Sequence, residues 1–142
     1  MLEITSIKDG VVIDHIEAGK GIKIFNYLNL DKFNNQVALI MNVKSERIGK
    51  KDIIKIESYL DIDYTVIALI SPNLTINEVK DSVIINKLTP RLKEKVVDVI
   101  KCNNPRCITT VENYVQHSFT LINRDNGSYK CDFCDNIMRL SD

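Results

Sequence analysis

Apolar and polar positions alternate in short stretches through the first two-thirds of the chain, the period-two signature of strands with one buried face. Leu2, Ile4 and Ile7 mark a first stretch, Gly10 a turn, and Val11-Val12-Ile13-Asp14-His15-Ile16 a β-branched second strand. Gly19 and Gly21 loosen the chain ahead of Ile22, Ile24, Phe25, Leu28 and Leu30, whose spacing places most of them on one face of a short helix. Residues 36–43 are apolar and β-prone, and after a polar loop through Gly49 residues 52–57 predict another strand. Residues 61–71 stay open between two readings. Val66 and Ile67 favour a strand, whereas Asp61 or Asp63 would cap a helix that stops before Pro72. Residues 75–79 and 83–87 read as two strands joined at Lys80-Asp81.

With the open segment taken as helix, the order is roughly β-α-β-β-α-β plus an extra terminal strand. That is the order of a ferredoxin-like sandwich, an antiparallel sheet with two helices. Its helices would cover one face, leaving the other free to bind a ligand or another chain. From about residue 96 the long alternations give way to short polar loops, so the chain divides into residues 1–92 and 93–142, the second a small all-β domain. The predicted class is α+β.

Composition and charge narrow the partners. The 142 residues are 44% hydrophobic and 27% charged, too apolar for disorder and enough for one ordinary domain or two small ones. Nineteen basic side chains balance nineteen acidic ones, so no overall positive field draws the chain to nucleic acid or an anionic membrane. No apolar run approaches the roughly 20 residues that span a bilayer, and Met1-Leu2-Glu3-Ile4 does not open a secretory leader, so the expected location is cytoplasmic.

A reducing compartment keeps thiols free and so argues against a disulfide framework for the four cysteines, and their placement offers another use. Cys102 and Cys107 form C-x4-C, Cys131 and Cys134 form C-x2-C, and 23 residues separate the pairs. Two short chelate loops joined by a hairpin can present four thiolates tetrahedrally, which suits a structural Zn²⁺ with a closed coordination sphere. A closed sphere has no activated water and argues against metal-assisted hydrolysis. So small a module would also draw much of its folding free energy from the metal. An iron site and uncoordinated thiols are the alternative readings. A C-x-x-C redox pair at Cys131 and Cys134 leaves the first pair unexplained.

Four motifs now stand in order: Gly10-Val11-Val12-Ile13-Asp14-His15-Ile16, then Gly49-Lys50-Lys51-Asp52-Ile53-Ile54-Lys55-Ile56-Glu57, then Pro72-Asn73-Leu74-Thr75-Ile76-Asn77, then the paired cysteines. In this order and spacing the chain resembles the regulatory chain of aspartate carbamoyltransferase over essentially its whole length. The resemblance implies a non-catalytic subunit with an N-terminal nucleotide-binding allosteric domain and a C-terminal domain that holds one structural Zn²⁺ and grips the catalytic chain. It implies regulatory dimers, three of which bridge two catalytic trimers into a heterododecamer. It also implies control of the first committed step of pyrimidine synthesis by CTP, UTP and ATP.

Lys51, Ile53 and Lys55 fall on one face of a strand, with the two lysines about 13 Å apart, a span that suits a nucleotide triphosphate. By resemblance Lys55 contacts ribose and base, Asp14 the ribose hydroxyls, and Lys87 the phosphates. Lys51 and His15 match positions near the phosphates, including those of a second nucleotide. Ile7 and Ile84 offer backbone groups and apolar walls to the base, with Asn77 and Val79 nearby. Asn104 and Asp135 match positions facing the catalytic chain, as does Arg106, which stands where the family carries a polar amide. Ser82 replaces a common tyrosine, Thr5 and Ser6 replace acidic and small residues, and Lys93 replaces a proline in the connector.

Without the resemblance, Lys51, Lys55 and Lys87 read as solvated strand lysines, His15 as a surface histidine and Asp14 as a strand end. Ile7, Val79 and Ile84 read equally as core. The competing class is a zinc-ribbon nucleic-acid-binding module, disfavoured by zero net charge and 6% aromatics. An independent enzyme lacks a paired base and nucleophile or a glycine-rich phosphate loop.

Overall fold

A computed structural model describes residues 7–46, 49–59 and 64–139. The first predicted strand falls largely on residues 1–6, outside the described residues. Contacts divide the chain into two compact units, one of residues 1–64 and 73–90, the other of residues 65–72 and 91–142.

The first unit is built on five strands: β1 (Gly10–Glu17), β2 (Val37–Ser45), β3 (Gly49–Ile56), β4 (Thr75–Lys80) and β5 (Val83–Leu88). They pair in the order β2-β3-β1-β4-β5, antiparallel throughout. The first four strands in that order are those of a ferredoxin-like sheet, and β5 is the extra terminal strand. Alternation sets the faces. Val11, Ile13 and Ile16 of β1, Ile54 and Ile56 of β3 and Ile76 of β4 are all completely buried. Register places Val11 opposite Ile56, and Ile13 between Ile54 and Ile76, so these residues share one face. Each such side chain contributes about 1.5–3 kcal/mol on burial.

Helix α1 (Gly21–Tyr27) packs on β2 and β3. It is shorter than the sequence pattern predicts. Asn29 is left-handed (φ 54°) and breaks the run, and Leu30 instead opens a single 3₁₀ turn ending at Lys32. Three bulges interrupt the sheet, the first between Ile13 and Ile16 with His15 at φ 57°, the second between Ile40 and Val43 with Asn42 at φ 62°, and the third between Glu78 and Val79 where β4 meets β5. A buried carboxylate ties the second bulge to α1. Asp52, fully enclosed, accepts the Gly19 and Gly21 N–H groups on Oδ2 and the Asn42 N–H on Oδ1, each at 3.0 Å.

The open segment resolves to helix α2 (Tyr64–Ala68). Residues 65–72 group with the second unit, where Ala68 and Leu69 join a core of Leu92, Val96, Ile100, Phe119, Tyr129 and the cysteines. The rest of that unit is an antiparallel sheet in the order β6 (Lys95–Val97), β7 (Ser118–Asn123), β8 (Ser128–Cys131) and β9 (Ile137–Arg139). One helical turn, α3 (Ile108–Val111), lies between β6 and β7 in the chain.

Candidate metal centre and polar sheet face

The four cysteines converge. Cys102 and Cys107 flank a tight turn in which Asn104 Oδ1 accepts the Arg106 N–H at 3.0 Å and the Asn104 carbonyl accepts the Cys107 N–H at 3.1 Å. Cys131 ends β8, and the chain turns back so that the Asp135 N–H reaches the Cys131 carbonyl at 3.0 Å. Their Sγ atoms all lie within 4.8 Å of one another, with Cys102 and Cys134 at 3.6 Å and Cys107 and Cys131 at 3.7 Å. Tetrahedral thiolates about 2.3 Å from a Zn²⁺-sized ion would stand about 3.8 Å apart, so the donor set fits a closed four-sulfur metal site. All four are free thiols, and all but Cys134 are buried.

Their surroundings pull the thiols apart in acidity. Burial pushes Cys102 up to about 12 and raises Cys131. Cys107 is drawn down to about 7, chiefly because the Thr109 hydroxyl, 3.0 Å away and itself buried, favours the thiolate. A bound cation would stabilise all four thiolates together. Supporting contacts fix the two loops. The Asn136 side-chain amide donates to Asn103 Oδ1 across them, and His117 Nδ1 accepts the Cys102 N–H at 3.2 Å. Asp132 accepts hydroxyls from Ser118 and Thr120 and meets Lys95 at 3.3 Å. These hydroxyls, with Lys95, hold its carboxyl below the usual carboxylate range. None of these partners stands out in sequence, because each reaches the cysteines only through sheet register or a turn.

On the first unit, register assembles a second constellation. Ala38, Lys55, Val12, Asn77 and Lys87 stand directly opposite one another across all five strands and so line one row on the face away from Val11 and Ile13. Lys51, Ile53 and Lys55 alternate onto this face as predicted from sequence. Lys51 Nζ lies 3.0 Å from Asp14 Oδ1, an ion pair whose side chains are only 16% and 20% exposed. His15 sits at the β1 bulge, its N–H on Asp14 and its Nδ1 3.0 Å from the Thr75 hydroxyl. Among the described residues, Asn77 Oδ1 is a buried side-chain oxygen with no hydrogen-bond partner.

The remaining candidates are placed differently. Val79 is buried, and its carbonyl accepts the Tyr59 hydroxyl at 2.6 Å. Ile84, opposite Val79 beside a bulge, is 56% exposed. Ile7 is half-buried ahead of β1. Asn104 is half-buried, Arg106 is exposed, and exposed Asp135 pairs with Lys130 at 3.5 Å. Asp52 escaped the sequence reading. Only its register, on the core face of β3, distinguishes it from the lysines before it.

Fold and site together define an α+β domain of ferredoxin-like order combined with a four-cysteine metal module. A family model described as "Aspartate carbamoyltransferase regulatory chain, allosteric domain" matches residues 2–91, and one for the metal binding domain of the same chain matches residues 94–142. The chain belongs to the aspartate carbamoyltransferase regulatory chain family. It is 57% identical to the Clostridium tetani regulatory chain over 141 residues, covering 99% of this chain and 98% of that one. A Clostridium botulinum relative is 52% identical over 137 residues (96% and 94% covered), and one from Bifidobacterium longum 42% over 139 (98% and 100%). The chain is accordingly a non-catalytic, allosteric subunit in pyrimidine synthesis, with catalysis carried by a separate chain. Among the described residues no helix is long and apolar enough to cross a membrane.

Proposed function

We propose that residues 1–92 bind CTP, UTP and ATP on the polar sheet face and that residues 93–142, holding one Zn²⁺, grip the catalytic chain in the cytoplasm. Three regulatory dimers would bridge two catalytic trimers. The observation that carries the effector reading is the row across five strands: it puts Lys55 and Lys87 in register on either side of Val12 and Asn77, and the buried Asn77 Oδ1 lacks a donor among the described residues. Two cations and an unsatisfied acceptor suit a polyphosphate ester that also carries hydroxyl and amino donors. Asp14 offers ribose an acceptor, and its pairing with Lys51 leaves that lysine poised to exchange a carboxylate for a phosphate.

Nothing in this site cuts or forms a bond, so its output is a difference in affinity. A nucleotide shifts the enzyme only by binding one quaternary state better than the other, typically by about 1–3 kcal/mol. Asn104, Arg106 and Asp135 lie at the turns that carry the cysteines, so the metal that closes those turns would also shape the surface offered to the catalytic chain.

The test uses the assembled enzyme. Lys55→Ala and Lys87→Ala should each weaken CTP binding by about 10- to 100-fold in calorimetry, the loss of a charge-assisted hydrogen bond. If both variants bind CTP and respond to it like the parent, the sheet face is not the effector site.

A further inference from the structure

Three successive carbonyls in the connector after β5 are captured by one hairpin. Arg124 Nη1 donates to the Leu92 carbonyl at 2.6 Å, the Tyr129 hydroxyl to the Lys93 carbonyl at 2.6 Å, and the Leu121 N–H to the Glu94 carbonyl at 2.7 Å. All three donors belong to β7, β8 and the turn between them. Tyr129 is completely buried, so its ring anchors in the core of the second unit while its hydroxyl reaches the connector. Leu92, only 5% exposed, packs into the same core. Tyr129 also stands two residues before Cys131 on β8, so strap and metal ligand share a strand.

We infer that Tyr129 and Arg124 are positioning residues that clamp residues 92–94 to the metal module, so that a displacement carried along the chain from β5 reaches the module through residues 89–91. The inference rests on the effector reading above for its functional half. Lys87, the phosphate candidate, lies one residue from the end of β5, and only residues 88–91 separate it from the strap. Five residue steps span at most about 18 Å, so a displacement of Lys87 has little slack in which to dissipate. A clamped strap converts that displacement into movement of the module as a body, whereas a loose strap absorbs it.

Two readouts on the metal-loaded full chain test the clamp. In Tyr129→Phe, which loses only the hydroxyl, and in Arg124→Met, trypsin should cut after Lys93 about tenfold faster, and the Leu121 amide should exchange correspondingly faster. Metal content should stay unchanged. In the enzyme assembled with its catalytic chain, both variants should bind CTP with parental affinity yet lose at least half of the change in activity that CTP causes. Parental cleavage and exchange in both variants would overturn the clamp. Faster cleavage with a full CTP response would overturn its signalling role. A parental enzyme that neither binds nor responds to CTP would overturn the effector reading and the relay with it, while the cleavage comparison, which needs no nucleotide, still decides the clamp.

Discussion

Asp52 is the residue whose replacement the structure makes most quantitative. Its carboxylate is fully buried and accepts three backbone N–H groups, from Gly19 and Gly21 ahead of and at the start of α1 and from Asn42 at the β2 bulge. Hydrogen bonds to a charged group are worth about 1.5–3 kcal/mol each. Asp52→Asn keeps the shape, and its single oxygen can retain Gly19 and Gly21, now as neutral bonds weaker by about 1 kcal/mol each. Its NH₂ must then face the Asn42 N–H, donor against donor, at a cost of about 1–3 kcal/mol. Relief from burying a charge offsets part of this. The expected loss is about 3 kcal/mol, which lowers the melting temperature of a domain this size by about 12–24 °C. No cavity forms, so the loss reports the polar contacts alone. Urea or thermal unfolding of the full chain at neutral pH, followed on the sheet signal, measures it. A loss under about 1 kcal/mol would mean that the N–H groups find water instead and that the carboxylate does not organise the α1 entry. Gly21→Ala probes the same point from the other side, since its Cβ would sit 2.8 Å from Asp52 Oδ2 and 3.0 Å from Leu39 Cδ1.

Removing the metal, or Cys107→Ser, should unfold the second unit and prevent association with catalytic trimers while the five-stranded sheet persists. Sizing with and without chelator, alongside circular dichroism, checks this, and assembly by metal-free protein would refute it. Desolvation and the nearby carboxylates of Asp9, Glu78 and Asp81 raise the Tyr59 hydroxyl above its ordinary 10.0. A raised folded value means that the Tyr59–Val79 bond contributes fully below pH about 10 and is lost as pH rises through the folded value. Tyr59→Phe should therefore lower stability near neutrality and flatten the alkaline decline in urea titrations, and parallel declines would contradict it. Asp81 (φ 51°) and Ser82 (φ 66°) form the two-residue β4–β5 turn, the positive-φ pair of a type I′ hairpin. Ser82→Gly should stabilise the chain by about 0.5 kcal/mol, the relief of a left-handed side chain less the added entropy of glycine. A destabilisation by calorimetry would show that Ser82 bears no strain there.

Much of this architecture is legible in sequence because it is local. The isoleucine alternation of β1 and β3 marks their core faces, and the cysteine spacing marks the metal cluster before any coordinate exists. What is not local was not legible. Val83, Ile84 and Ile85 have the composition of a core strand yet are 56–62% exposed, because among the described residues β5 has only β4 beside it and a bulge interrupts their pairing. Asp52 sits in a polar run and is buried only because alternation turns it inward opposite a bulge. The row joining Lys55 to Asn77 and Lys87 depends on register between strands that are far apart in the chain. Tyr129 looks like one more strand aromatic until its hydroxyl is traced to the connector.

The grouping of residues 65–72 with residues 91–142 sets a timetable for the nascent chain. The five strands are complete once Leu88 has emerged, so the sheet can close early. Ala68 and Leu69 cannot, because the buried cluster they join includes Phe119, Tyr129 and Cys131, some 50 to 60 residues further on. At about 5–20 residues per second, that leaves two apolar side chains without their core for roughly 3 to 12 s. Their shelter then awaits a metal ion as well as the ribosome. In a cell short of that metal, newly made chains would carry a finished sheet and an uncovered helix, the kind of half-folded species that chaperones and proteases select.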